Sequence, residues 1–92
     1  MPPKMPPDPA LGAAVRQLRE ARGLSQEALA YRAGTTYGTI NRLELAQSAP
    51  AWATVRAIAE ALGVTLVELA TAVEAQGRPQ GFDDQAQKPR RR

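Results

Sequence analysis

Between Leu11 and Val73 apolar side chains recur at the three- and four-residue spacing of amphipathic helices, but glycine interrupts the pattern at Gly23, Gly34 and Gly63. That punctuation constrains the fold more than any other feature. Glycine readily takes the left-handed conformation that closes a helix, so no segment runs far past a dozen residues. Helices that short are marginal alone and hold only when packed on one another. The chain must therefore fold as several short helices that bury each other's apolar faces.

Five helices are expected. Asp8 caps the first, with Pro9 at its first position, and Leu11, Val15 and Leu18 share one face. Ser25 caps the second, with Gln26 and Glu27 in its first turn, Ala28, Leu29 and Ala33 inward, and Gly34 as its stop. Thr36 caps a short third helix with Ile40 and Leu43 on its buried side, and a loop over 46–50 follows. The fourth presents Trp52, Val55, Ile58, Ala59 and Leu62 to the core and ends at Gly63. Thr65 and Glu68 form a capping box that opens the fifth, with Leu66, Leu69 and Val73 inward. The expected class is all-α: a compact five-helix orthogonal bundle with flexible ends. Residues 1–8 read as a Pro-rich lead-in and 9–76 as the folded domain. Residues 77–92 read as a disordered basic tail, because Phe82 is their only large apolar residue.

Composition removes several classes of function. The sequence has no cysteine and no histidine, and no lysine falls between residues 9 and 76. No paired carboxylates or Gly-rich phosphate loop are present, and Asp83-Asp84 lies in the tail. Neither catalysis, nor a metal, nor a cofactor is expected. No apolar run reaches the roughly 18 residues of a membrane span, and Met1–Pro9 lacks the apolar stretch of a secretory signal, so a cytoplasmic location is expected.

The formal net charge of +3 is less informative than it looks. Arg16, Arg19, Arg22, Arg32, Arg42 and Arg56 are cancelled by Glu20, Glu27, Glu44, Glu60, Glu68 and Glu74. The surplus sits in Arg78, Lys88, Arg90, Arg91 and Arg92. That tail reads either as a solubility element or as a non-specific clamp on phosphates.

The informative stretch is Ser25 to Leu43. Its two short helices are joined by Ala33-Gly34-Thr35-Thr36, a turn too tight for antiparallel packing, so the second helix leaves at a steep angle. Ile40 and Leu43 pack down from it, leaving Thr36, Tyr37, Gly38, Asn41 and Arg42 outward. The exposed N-terminal half of such a helix fits the major groove of B-form DNA.

The run LSQEALAYRAGTTYGTINRLE, with TVRAIAEALGVTLVEL after it, resembles the lambda-repressor-like, Cro/Xre-type helix-turn-helix DNA-binding family. The likeness covers roughly Leu11 to Leu69. It implies that Tyr37, Gly38 and Arg42 reach base edges, with Thr36 beside them. It also implies that Gln26, Thr39 and Asn41 lie against phosphates, and that Arg19 and Glu44 form a structural pair tying helix one to the end of helix three. For Tyr37 a half-buried packing role remains open, and for Gln26 a purely local hydrogen bond. Two departures stand out. Leu45-Ala46-Gln47-Ser48 lacks the family's glycine stop and its cation, and Gly38 weakens the third helix by about 1 kcal/mol.

The resulting expectation is a sequence-specific binder of double-stranded DNA, a repressor-like transcriptional regulator and not an enzyme. It would act as a homodimer on an inverted repeat through the helix at 36–45. Leu66 to Val73 is the candidate dimer face, since Val67 and Ala70 lie off its core stripe. The alternative is a protein-interaction module of the same fold, antitoxin-like or coactivator-like, in which a protein partner dominates.

Overall fold

The computed structural model describes residues 7–77, so most of the lead-in and nearly all of the tail lie outside the described residues. Those described form α1 (Pro9–Ala21), α2 (Gln26–Ala33), α3 (Tyr37–Glu44), α4 (Trp52–Leu62) and α5 (Leu66–Gly77), with no strand among them. The class is all-α. Helix α1 packs on α3 and α5, while α2 lies between α3 and α4.

Side-chain caps start four of the five helices. Asp8 Oδ1 accepts the Ala10 amide at 2.9 Å, Ser25 Oγ that of Ala28 at 3.0 Å, and Thr36 Oγ1 that of Thr39 at 3.2 Å. Thr65 and Glu68 cap reciprocally, at 2.8 and 3.0 Å. Each such cap stabilises its helix by about 1 kcal/mol. Helix α4 has Ala51 at this position and no side-chain cap, so its start depends on its apolar face.

Four helices close with the same bond between residues five apart. Leu24 donates to the Arg19 carbonyl, Thr35 to Ala30, Gln47 to Arg42 and Val64 to Ala59, at 2.8–3.1 Å. Three of these turns place glycine in the left-handed region. After α3, which has no glycine, Ala46 takes that conformation instead, with φ 58°. The helix stops in the usual way, at a backbone cost of about 1–2 kcal/mol.

The core draws on all five helices: Val15, Leu29, Ala30, Ile40, Leu43, Ile58, Ala59, Leu62 and Leu69. On α2 it is Ala30 that is buried beside Leu29, while Ala28, expected inward, is half-buried. The larger correction concerns Trp52, expected in the core and found 64% exposed. It is in phase with Val55, but as the first residue of α4 it overhangs the end of the core. It lines the rim of an apolar groove of about 390 Å³ with Leu11, Val55, Leu66, Leu69 and Val73.

Gly12 lets α1 come close to the backbone at the end of α3. A β-carbon there would fall inside contact distance of the Leu43 carbonyl oxygen and 3.1 Å from that of Glu44. Two substitutions should therefore move stability in opposite directions. Gly12→Ala is expected to destabilise the fold by about 1–3 kcal/mol through overpacking. Ala46→Gly is expected to stabilise it by about 1 kcal/mol, because relief of the left-handed strain outweighs the added freedom of the unfolded chain. Urea unfolding reads both as shifts of midpoint at constant slope.

Candidate nucleic-acid interface

Helix α3 has eight residues, too few to be stable alone. Burial of Ile40 and Leu43, contributing roughly 1.5–3 kcal/mol each, fixes it to the bundle. At 3.6 residues per turn, Tyr37, Gly38, Asn41 and Arg42 then fall together on the side away from those anchors. The Gly34 turn (φ 72°) and the Thr36 cap set where this face begins.

Apolar anchors leave the rotation of α3 loosely defined, because hydrophobic attraction is non-directional. A buried polar network supplies the direction. Arg19 on α1 donates to both carboxylate oxygens of Glu44, at 2.7 Å from Nε and 3.0 Å from Nη2. Its Nη1 donates to the Leu24 carbonyl at 2.7 Å. Gln26 Nε2, on α2, donates to Glu44 Oε1 at 2.9 Å. The side chains of Arg19 and Glu44 are 11% and 3% exposed. The hydrogen bond with Glu44 pushes the Arg19 pKa up, against the opposing effect of burial, so the guanidinium stays charged throughout the working range. Three helices meet on one carboxylate.

The outward face is less buried. Tyr37 is 50% exposed, and Thr36 and Arg42 are exposed. Thr39 and Asn41 flank them at intermediate exposure, as does Gly38. The Thr36 and Thr39 hydroxyls lie 3.0 Å apart. Arg42 reaches back along α3, and its Nη1 sits 3.0 Å from where a β-carbon of Gly38 would be. The guanidinium thus lies near the N-terminal turn, where unpaired amide groups already leave positive partial charge. Convergence of the two favours an acceptor-rich or anionic ligand at that end of α3. Gln26, assigned to a phosphate by resemblance, spends one of its amide hydrogens on Glu44 and keeps the second.

A family model described as a helix-turn-helix domain matches residues 10–72. The chain belongs to the Cro/Xre-type helix-turn-helix family. Among solved structures it is similar to the restriction-modification controller protein C.AhdI from Aeromonas hydrophila. That protein is 33% identical over 66% of this chain and 92% of its own, with a TM-score of 0.65. The clp gene regulator ClgR from Corynebacterium glutamicum is 22% identical over 91% of this chain and 90% of its own, with a TM-score of 0.75. The controller protein C.Esp1396I is 19% identical over 74% of this chain and 87% of its own, with a TM-score of 0.70. At those last two identities the likeness is one of fold. No curated protein sequence matches the chain.

This helix-turn-helix protein is a DNA-binding transcriptional regulator and not an enzyme. Among the described residues no helix is long and apolar enough to cross a membrane. Neither Gly12 nor the Leu24 carbonyl stands out in the sequence as part of this arrangement. An isolated glycine inside a periodic helix was the available signal for the first; a backbone carbonyl leaves no signal in side-chain identities.

The network can be tested in the helix-turn-helix without DNA. Glu44→Ala leaves the shielded Arg19 guanidinium with only the exposed Glu20 carboxylate at 3.9 Å and the Leu24 carbonyl, and is expected to lower stability by about 1–3 kcal/mol in chemical denaturation. The double change Arg19→Met with Glu44→Leu should recover most of that loss, because it removes both charges together.

Proposed function

We propose that the chain is a repressor-like regulator that binds double-stranded DNA sequence-specifically, as a homodimer on an inverted repeat. Residues 9–76 form the DNA-binding unit. The N-terminal half of α3 enters the major groove, where Thr36, Tyr37, Gly38 and Arg42 face base edges. Gln26, Thr39 and Asn41 face phosphates. A cytoplasmic location goes with this role.

The observation that carries the reading is the outward face of α3, anchored by Ile40 and Leu43 with the Arg42 guanidinium near its N-terminal turn. The names of the similar proteins, a restriction-modification controller and a clp gene regulator, agree with a regulatory role. The dimer follows from magnitudes. A single module of this size buries too little surface for tight specific binding, and the charges between residues 10 and 76 cancel, so counterion release adds little. The apolar groove at Leu11, Trp52, Val55, Leu66 and Val73 offers a face for a second copy, with Val67 exposed on the same helix as its last two residues. The same groove is the observation that favours a protein partner as the second reading.

Selection from a random duplex pool at physiological salt separates the two. Enrichment of an inverted repeat, its half-sites about one helical turn apart, supports the dimeric regulator. Arg42→Ala should then relax the preference at one base position per half-site and cost about 1–3 kcal/mol in binding. If no site enriches and residual binding vanishes on removal of residues 78–92, the reading fails. The partner-binding module then takes its place.

A further inference from the structure

Glycine is an odd residue at position 38. It sits in the first turn of an eight-residue helix, where alanine would be the better helix former, and no left-handed backbone requires it there. Nor does the core require it. The atoms nearest to a β-carbon added at Gly38 would be Arg42 Nη1 at 3.0 Å, Arg42 Cζ at 3.8 Å and Thr36 Oγ1 at 3.9 Å, none of them on another helix. The tight one of these contacts is the far end of a flexible side chain, which can swing aside. Free of DNA, the protein therefore has room for alanine and would gain from it.

What the missing β-carbon does provide is a shallow notch one turn before Arg42. The guanidinium lies beside it, one turn back from its own α-carbon. Arginine side chains have several rotatable bonds, and an exposed one samples many positions. A bidentate pair with a base edge tolerates a misplacement of only about 0.5 Å. Any side chain at position 38 displaces the guanidinium from this position by a few tenths of an ångström or more.

We propose that Gly38 is a specificity-determining residue that acts through Arg42: its notch seats the guanidinium over the N-terminal turn of α3 and thereby sets the base that Arg42 reads. The inference rests on the DNA-binding reading above and deepens it. It assigns Gly38 a positioning role in place of a direct base contact, and it explains a residue whose retention weakens the fold.

The test is a double-mutant cycle at positions 38 and 42, read in two ways on the full chain. Wild type first selects its site from a random-sequence duplex pool. Gly38→Ala is expected to raise the midpoint of thermal unfolding by a few degrees. It should also lose about tenfold in discrimination at the one base position per half-site that Arg42→Ala also relaxes. The loss should concentrate at that position and not spread evenly across the half-site. On the Arg42→Ala background, Gly38→Ala should alter discrimination no further. A merely structural role would move stability and binding in the same direction, and a direct role of the backbone at position 38 would persist without Arg42. If Gly38→Ala selects the same site with the same discrimination, or costs as much on the Arg42→Ala background, the proposal is overturned while DNA recognition by α3 stands. If wild type itself selects no site, the functional reading fails and this inference falls with it.

Discussion

The contact on which the outward face of α3 depends most is the buried fork between Arg19 and Glu44. Hydrophobic burial of Ile40 and Leu43 decides that α3 stays on the bundle, but it leaves rotation and depth softly defined. A two-bond guanidinium–carboxylate pair has one good geometry. Because Glu44 is the last residue of α3, holding its carboxylate fixes the helix at its C-terminal end. A buried ion pair seldom adds net stability over well-packed apolar residues. Its contribution here is orientation. Gly12 serves the same end by letting the backbone at Leu43 and Glu44 come down onto α1, so that one helix fixes α3 by both charge and shape.

This arrangement separates what stabilises α3 from what it presents. The anchors, the network and the Thr36 cap account for its formation, whereas Tyr37, Asn41 and Arg42 contribute little packing to the bundle. Side chains on that face can differ between members of such a fold at small cost to stability. Gly38 and Ala46 fit the same division. Each is locally unfavourable, one as a glycine in a helix and the other as an alanine in left-handed backbone, and the rest of the bundle carries both.

Much of the fold was legible because its signals are local. Caps at Asp8, Ser25, Thr36 and Thr65, and stops at Gly23, Gly34 and Gly63, each depend on a few neighbouring residues. The periodicity that placed Ile40 and Leu43 in the core is local as well. Trp52 lies outside the core despite its phase, because periodicity reports the face of a helix and not whether the core extends as far as its first turn. The end of α3 was harder to read than the others, since the backbone bond that closes it is indifferent to side-chain identity and here is made around an alanine. On the outward face the sequence identified which residues point away from the core. It carried no sign that Gln26 would share Glu44, or that Arg42 would fold back over Gly38, because both depend on side-chain paths across space.

The cancellation of charge between residues 10 and 76 bears on how such a domain discriminates. Attraction to duplex DNA through counterion release scales with the phosphates neutralised and is blind to sequence. A folded unit with little net charge gains little from it, so its affinity for arbitrary duplex is low. On α3, positive partial charge gathers at the N-terminal turn, and the Arg42 guanidinium lies beside it. Such a field is felt over only about 8 Å at physiological salt. It acts only at close range, where shape and hydrogen-bond geometry decide what a surface binds. For a DNA-binding domain in general, weak non-specific attraction raises the ratio of specific to non-specific binding, and that ratio decides occupancy in an excess of competing DNA.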